Sequence, residues 1–275
     1  MKVQTALQQG YRLLEQASIP VPRLTAEVLL SHVLGCERPY LFSHPEEELS
    51  EIASLHYGRH LHERLAGRPT QYITGRQEFY GREFRVNSNV LIPRPETEHV
   101  IETALAVGAG ARRIVDVGCG SGAIAVTLSL EMGTEVWGTD ISLAALDVAA
   151  RNARSLNAPV RFVACDLASA LAPGAMDLVV SNPPYVARRD APGLQREVRD
   201  YEPHVALFAG ETGLEIYARL VVDAERVLRP GGALVMELGF RTSDLVRGML
   251  GPVWQDVQIV PDLAGIPRVL AAKLG

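Results

Sequence analysis

The residues best suited to chemistry are Asn182-Pro183-Pro184-Tyr185, which follow an apolar run ending at Ser181. With proline at ~5% of residues and Asn and Tyr at a few per cent each, this tetrapeptide arises by chance in roughly one chain per thousand of this length. Two prolines under an aromatic can simply end a strand. The functional alternative has a mechanism. The Asn182 side-chain oxygen and the Pro183 carbonyl are two acceptors on a stiff segment. Together they suit both N–H groups of a planar amino group, with Tyr185 stacked on its conjugated plane. The lone pair of an amide or aryl amine is delocalised and weakly nucleophilic. Orientation toward an activated methyl must then supply much of the acceleration, and held geometry is worth ~7–11 kcal/mol. A methyl donor with its own positive charge on sulfur needs no metal and no strong base, which fits a chain with no evident catalytic His.

A second group lies upstream, Asp116-Val117-Gly118-Cys119-Gly120-Ser121-Gly122-Ala123. Glycines here let the backbone turn sharply and approach a ligand closely, ahead of a helix N-terminus. Asp140 stands twenty residues beyond Gly120, where a carboxylate can accept from ribose hydroxyls. The pair fits NAD, if Ala123 fills the last fingerprint position, as well as any other adenosine ligand. A tight turn and a strand-end cap are the structural alternative. Cys119, at a helix N-terminus, is either a thiol of lowered pKa or a small packing residue near the ligand.

These residues need elements to hold them. Ile114–Val117, Val136–Thr139, Val160–Ala164 and Leu178–Ser181 read as buried strands, with helices Ile124–Leu130 and Leu143–Leu156 between the first three. A helix spans 214–228, closed by Pro230-Gly231-Gly232. Strand Ala233–Leu238, a short helix, and strands Val257–Val260 and Arg268–Ala272 complete the chain. Alternating strands and helices imply a mainly parallel sheet covered on both faces. Ligands of such sheets bind beyond the strands' carboxyl ends. Gly118–Gly122, Asp140, Asp166 and Asn182 each follow one of four successive strands, so one sheet edge would gather all four.

The first seventy residues read as a helical bundle. Val3, Leu7, Tyr11 and Leu14 form one stripe, Ala26 to Leu34 a second, and a third helix is expected from Pro45, with Glu46 to Glu48 in its first turn, to about Ala66. Gln71 to Asn89 suits a β-hairpin linker. Pro95 is placed to open the next helix, with Glu96 and Glu98 in its first turn. The expected organisation is therefore a helical domain over 1–70, a hairpin linker over 71–94 and a sheet domain over 95–275. There is no internal repeat and no low-complexity tract.

Composition narrows the function classes. Of 275 residues, 47% are apolar and 21% charged, which excludes a disordered chain. Lys and Arg number 27 against 32 Asp and Glu, a net charge of −5; no phosphate-backbone affinity is implied, and no direct nucleic-acid contact is expected. The longest charge-free run, Val117–Leu130, is 14 residues, too short to span a membrane. The start, Met1 to Thr5, does not read as a signal peptide, and three scattered cysteines make no disulfide framework, so a cytoplasmic location is expected. His56 and His60 share a helix face, a spacing metals use. No Cys joins them and Glu63 lies off that face, so a solvated face is expected and no metal.

In these motifs the chain resembles the class I methyltransferases that use S-adenosylmethionine, and more closely the release factor glutamine methyltransferases. Further marks are Pro69–Gly75, Val90–Glu98, Glu202-Pro203 with Ala206-Leu207, and Asp262–Gly265 before Arg268. The resemblance runs from the helical region to the C-terminus. It implies a mainly parallel, doubly wound Rossmann-like α/β methyltransferase sheet with a small N-terminal helical bundle and a β-hairpin linker. It also implies methyl transfer from S-adenosylmethionine, leaving S-adenosylhomocysteine, to the side-chain amide nitrogen of the glutamine in the Gly-Gly-Gln tripeptide of peptide-chain release factors. Carried over by position, Gly118, Cys119, Gly120, Ser121 and Gly122 would line the methionine and ribose side of the cofactor. Asp140 would bind the ribose hydroxyls, and Asp166 and Leu167 would flank the adenine, Leu167 where some relatives carry an aromatic. Asn182 would border both cofactor and substrate, and Asn182, Pro183, Pro184 and Tyr185 would hold the substrate glutamine, with Asn182, Pro183 and Tyr185 as the catalytic set. The helical region and hairpin would help dock the release factor, and a monomer is expected. Arg94 and Glu96 either help close the cofactor pocket or simply start a helix.

Four rivals remain, one of them a non-catalytic adaptor that merely binds a nucleotide. A sister family methylates a glutamine of a ribosomal protein; it shares the Asn-Pro-Pro-Tyr site but tends to lack the continuation Arg94-Pro95-Glu96-Thr97-Glu98. DNA adenine methyltransferases would need a basic groove. An NAD oxidoreductase explains the glycines and Asp140 but leaves Asn182 to Tyr185 without a task.

Overall fold

The computed structural model describes residues 1–275, which divide into two compact units. The first, Met1–Gly75 with Gln195–Tyr201, holds helices α1 (Val3–Gln16), α2 (Pro22–Leu34), α3 (Arg38–Ser43), α4 (Glu51–Leu65) and the short α5 (Thr70–Thr74). The α1 face turned inward is Val3, Ala6, Gly10 and Leu14, one position off the expected stripe for Leu7 and Tyr11. Gly10 explains the offset, because a side chain there would collide with the Tyr57 ring of α4. The helix expected from Pro45 is α4 and starts later, at Glu51. Lys2 bridges Glu48 in extended geometry, and Ser50 caps α4 by accepting from the Ala53 N–H at 3.1 Å. A serine cap outranked the three glutamates as a start signal.

The second unit, Arg76–Leu194 with Glu202–Gly275, opens with a hairpin, β1 (Arg76–Phe79) and β2 (Arg82–Arg85). Tyr80 and Gly81 both have positive φ, the two-residue turn whose twist matches the strands. Residues 71–74 of the expected hairpin region are helical instead, as part of α5.

After a 3₁₀ turn at Pro95–Thr97 come α6 (Glu98–Val107), β3 (Ile114–Val117), α7 (Ala123–Met132), β4 (Val136–Asp140), α8 (Leu143–Ser155), β5 (Val160–Ala164) and β6 (Met176–Ser181). Then follow β7 (Val186–Ala187), α9 (Arg196–Tyr201, which belongs to the first unit), α10 (His204–Leu207), β8 (Phe208–Gly210), α11 (Glu215–Val227), β9 (Leu228–Glu237), α12 (Ser243–Arg247), β10 (Trp254–Pro261) and β11 (Pro267–Leu274). The main sheet runs β10-β11-β9-β6-β3-β4-β5, with β11 antiparallel to both neighbours and the other pairings parallel. Strand β9 starts at Leu228 and carries Pro230-Gly231-Gly232 within it, through a register shift, rather than beginning at Ala233.

Successive strand residues bury on opposite faces. Val115, Val117, Val179, Leu234 and Met236 pack with Tyr217, Leu220 and Val221 of α11, while Ile114, Leu178, Val180 and Val235 pack with α6, α7 and the hairpin's Phe79 and Phe84. Burial on both faces is why these strands read as unbroken apolar runs. Asn152 of α8 is buried and pins the hairpin to the sheet. Its Oδ1 accepts from Arg85 N at 2.8 Å, and its Nδ2 donates to the carbonyls of Arg85 (3.0 Å) and Ser121 (2.9 Å). That last bond reaches the glycine loop. No helix is long and apolar enough to cross a membrane.

Candidate active site

Strands β6, β3, β4 and β5 are adjacent and parallel, so the segments after them share one edge. A cavity of about 330 Å³ opens there. Gly118, Cys119, Gly120, Ser121, Asp140, Asp166, Leu167, Asn182 and Pro184 all line it; Gly122, Pro183 and Tyr185 do not.

The loop after β3 is shaped by backbone bonds. Gly118 N and Cys119 N both donate to Thr139 O at 2.8 Å, and Gly122 N donates to Cys119 O at 2.7 Å. Gly120 and Gly122 take φ of +53° and +80°, values costly for any other residue. A Cβ added at Gly118 or Gly120 would meet nothing within 4 Å, so both present bare backbone to open space; one at Gly122 would press on Ala149. Asp140 clamps the loop: Oδ2 accepts from Gly120 N at 2.9 Å and Oδ1 from Ser142 N at 2.8 Å. Each oxygen keeps a lone pair for a ligand hydroxyl.

After β5, Leu167 is held at φ +48°, a strained geometry for a leucine. The Cys165 thiol donates to its carbonyl at 3.2 Å, and Ala168 N donates to Asp223 Oδ2 of α11 at 3.1 Å. Asp166, half-exposed, pairs with Arg219 on the same rim. Ile141, Leu167, Val205 and Phe208 supply apolar wall. Val205 and Phe208 belong to a segment fixed by Glu202, whose buried carboxylate accepts from Ile92 N at 3.2 Å and pairs with Arg94. Arg94 thus ties two wall segments together without facing the cavity, and Glu96 does not line it.

After β6, Asn182 Nδ2 donates to Thr97 Oγ at 3.1 Å, and Thr97 donates to Glu237 Oε2 at 2.6 Å. The Tyr185 hydroxyl donates to Glu237 Oε1 at 3.3 Å, and the Tyr185 ring lies against Gly239. Burial raises the Glu237 carboxyl; the donors Thr97 and Tyr185 pull it down, Glu96 adds to the rise and Arg268 opposes it. Burial, with Glu237 beside it, raises Tyr185. Neither Thr97 nor Glu237 stood out in the sequence. The available signals were the charge of Glu237 inside an apolar strand and the position of Thr97 in the Arg94–Glu98 run.

Cys119 is the packing residue of its two alternatives. Burial, then the Asp116 and Asp140 carboxylates, push its thiol well above the ordinary value, so it stays protonated and packs. His60 lies beside His32, ring centroids 5.5 Å apart, and burial lowers its pKa; no three His, Cys, Asp or Glu side chains gather as a metal-binding group.

Asp116 is fully buried, with Oδ2 accepting from Ala125 N at 3.0 Å and Oδ1 unpartnered. Burial pushes its carboxyl from 3.8 up to about 8, the Ala125 N–H opposing and Asp140 adding to the rise. The folded chain then holds a proton that the unfolded chain releases. Stabilisation from this proton is complete below about pH 4 and drains away, at about 1.4 kcal/mol per pH unit, as pH rises toward 8. Asp116→Asn is expected to abolish that slope and to unfold at higher denaturant than wild type at pH 8. Urea titrations at pH 6 and 8 check it; equal slopes for the two chains would show Asp116 ionised throughout.

A glycine loop after the first sheet strand, a carboxylate after the second and an acceptor-rich turn after the fourth line one cavity at one edge of a methyltransferase fold. A methyltransferase structure from Pyrococcus furiosus shares the fold, with a TM-score of 0.55 at 18% identity, covering 72% of this chain and 91% of that one. Residues 97–197 match the family model described as "Methyltransferase small domain", and residues 5–75 match "PrmC N-terminal domain". The release factor glutamine methyltransferase of Koribacter versatilis is 46% identical over 99% of both chains, and that of Nitratidesulfovibrio vulgaris 42% identical over 98% of this chain and 95% of the relative. The chain belongs to the release factor glutamine methyltransferase family and is a methyltransferase.

Proposed function

We propose that this protein transfers a methyl group from S-adenosylmethionine to the side-chain amide nitrogen of the glutamine in the Gly-Gly-Gln motif of peptide-chain release factors, acting in the cytoplasm as a monomer and without contact to nucleic acid. The observation that carries this reading is the seat of Asn182. Its amide NH₂ is engaged by Thr97 on the protein side, which leaves its oxygen as a free acceptor at the cavity.

The cavity suits the donor. Bare backbone at Gly118 and Gly120, with Cys119 and Ser121, accommodates the methionine and ribose side; the spare lone pairs of Asp140 take the ribose hydroxyls, and Asp166 and the apolar Leu167 flank the adenine. When bound, S-adenosylmethionine supplies a methyl group activated by positive sulfur and leaves as S-adenosylhomocysteine, and the methylated amide nitrogen sheds one N–H proton to water, so the protein needs no metal and no strong base. The chain's own task is orientation. Asn182 Oδ1 and the Pro183 carbonyl accept the two N–H groups of the glutamine amide and present its nitrogen, while Pro184 and Tyr185 stiffen and bound the site. Much of the acceleration then comes from held geometry. Residues 1–70 and the hairpin linker of 71–94 dock the release factor for the methyltransferase domain of 95–275.

The test is transfer of labelled methyl from S-adenosylmethionine to an unmethylated release factor, beside its Gly-Gly-Gln→Gly-Gly-Ala version. Label on the first and none on the second is expected. No label on either, with the donor still bound, would reject the release factor as substrate and direct the search to ribosomal proteins.

A further inference from the structure

Thr97 occupies the N-cap of α6, where a threonine hydroxyl ordinarily accepts from a first-turn N–H. Here it caps nothing. Its hydroxyl points across to β9, 140 positions along the chain, and donates to Glu237 at 2.6 Å. Glu237 is 3% exposed, the one acidic residue in an otherwise apolar strand end, Leu234-Val235-Met236-Glu237-Leu238. A carboxylate taken out of water is costly unless its lone pairs are satisfied. Thr97 and Tyr185 satisfy one oxygen each, and both also touch or belong to the Asn182–Tyr185 turn.

The direction of this chain of bonds follows from the chemistry of its last member. Thr97 donates its single hydroxyl proton to Glu237, the only direction open to it when the carboxylate is ionised, because that form only accepts. Thr97 then has only lone pairs left for Asn182 and can bond only the NH₂ end of that amide. An Asn amide turned end for end has nearly the same shape, and without such a constraint it could present NH₂ to the substrate. Two donors would then face two donors. We propose that Thr97 and Glu237 are positioning residues, a one-way hydrogen-bond relay that holds the Asn182 oxygen toward the cavity and the substrate amide. The proposal rests on the reading of Asn182 as the residue that grips that amide, and it adds what decides which end of Asn182 does the gripping.

Thr97→Val keeps the methyl group and the shape but deletes the hydroxyl; Thr97→Ser deletes the methyl group and keeps the hydroxyl. A purely structural role ranks valine above serine. The relay ranks serine above valine in turnover, whatever their order in thermal stability. Thr97→Val is expected to lower kcat about 10–100-fold, within the loss that misplacing a reacting group by about 1 Å can cause. Affinity for S-adenosylhomocysteine should stay within about threefold, and Thr97→Ser should restore kcat to within about threefold of wild type. Glu237→Gln, which can donate as well as accept, should lose turnover as Thr97→Val does.

A second measurement does not depend on the substrate. The side-chain NH₂ signal of Asn182, assigned by its disappearance in Asn182→Asp, should exchange slowly with solvent in wild type and Thr97→Ser and rapidly in Thr97→Val. Wild-type kcat in Thr97→Val, or unaltered exchange of the Asn182 NH₂, overturns the relay. Absence of any methyl transfer by wild type to a release factor would instead overturn the substrate reading, with the exchange experiment still deciding the relay.

Discussion

Asn182→Ala is expected to lower turnover by roughly 10²–10³-fold, the loss typical of removing one preorganised polar group from a reacting centre. The affinity for the methyl donor should change only a few-fold. The unequal effect follows from what each partner meets. In the proposed reading the donor would be held along a whole row of cavity-lining groups, from the glycine loop through Asp140 to the rim at Leu167, with Asn182 as one contact among these. The substrate amide, in the proposed reading, has two acceptors, and one is the Asn182 oxygen. Without it the amide plane turns freely, and its nitrogen spends little time aligned with the methyl group. Stability should change little, because Asn182 is only partly buried and its one protein bond is to a hydroxyl that keeps its bond to Glu237. Asn182→Asp sharpens the result. It retains acceptor oxygens but loses the donor that meets Thr97, whose proton is already committed, so it should also be slow. Single-turnover methyl transfer beside calorimetric binding of S-adenosylhomocysteine separates the two quantities. Unchanged turnover in Asn182→Ala would remove Asn182 from the catalytic set.

The sequence made one half of this site readable and concealed the other. Strands β3 and β6 are buried throughout and read as plain apolar runs, β4 is largely buried, and β5, expected to be buried, is instead a partly exposed edge strand; each polar residue placed after them reaches the same sheet edge because the strands are parallel. The hidden half is assembled across the chain. Thr97 and Glu237 meet over 140 positions, and no spacing rule reports such a meeting. The stretch 186–210 was equally opaque. Its elements, β7, α9, α10 and β8, are two to six residues long, too short to show a period. They are fixed instead by particular contacts, such as Glu202 with Ile92 and Arg94. Tyr185 holds a contact that its type did not announce. Its type suggested a stacking surface, but its hydroxyl turned out to be tied to a buried carboxylate that the sequence had given no reason to place beneath it. Helix starts failed where two signals competed, as at Ser50 against Glu46 to Glu48.

Asp140→Ala should produce the opposite pattern to Asn182→Ala, with donor affinity weakened by about 10²–10⁴-fold and turnover at saturating donor close to wild type. Hydrogen bonds to a charged group contribute about 1.5–3 kcal/mol each, and two ribose hydroxyls would lose them together, which is that range of Kd. A further loss comes from the loop. Asp140 accepts from Gly120 N and Ser142 N, so alanine leaves two N–H groups unpaired and frees the turn that brings the glycine backbone to the cavity. Asp140→Asn separates these contributions. It keeps one oxygen and the shape, so the loop stays partly clamped while charge is lost, and a drop of about 10–100-fold is expected. The same substitution has an effect away from the ligand. The Asp140 carboxylate adds to the rise of the Asp116 carboxyl, so Asp140→Asn should let Asp116 ionise at lower pH and shallow the loss of stability between pH 6 and 8. Calorimetry with S-adenosylhomocysteine and with NAD, on wild type and both variants, reads affinity and ligand class at once. Tight binding of S-adenosylhomocysteine that collapses in Asp140→Ala fits the ribose contact; tighter binding of NAD would overturn the assignment of this cavity to the methyl donor.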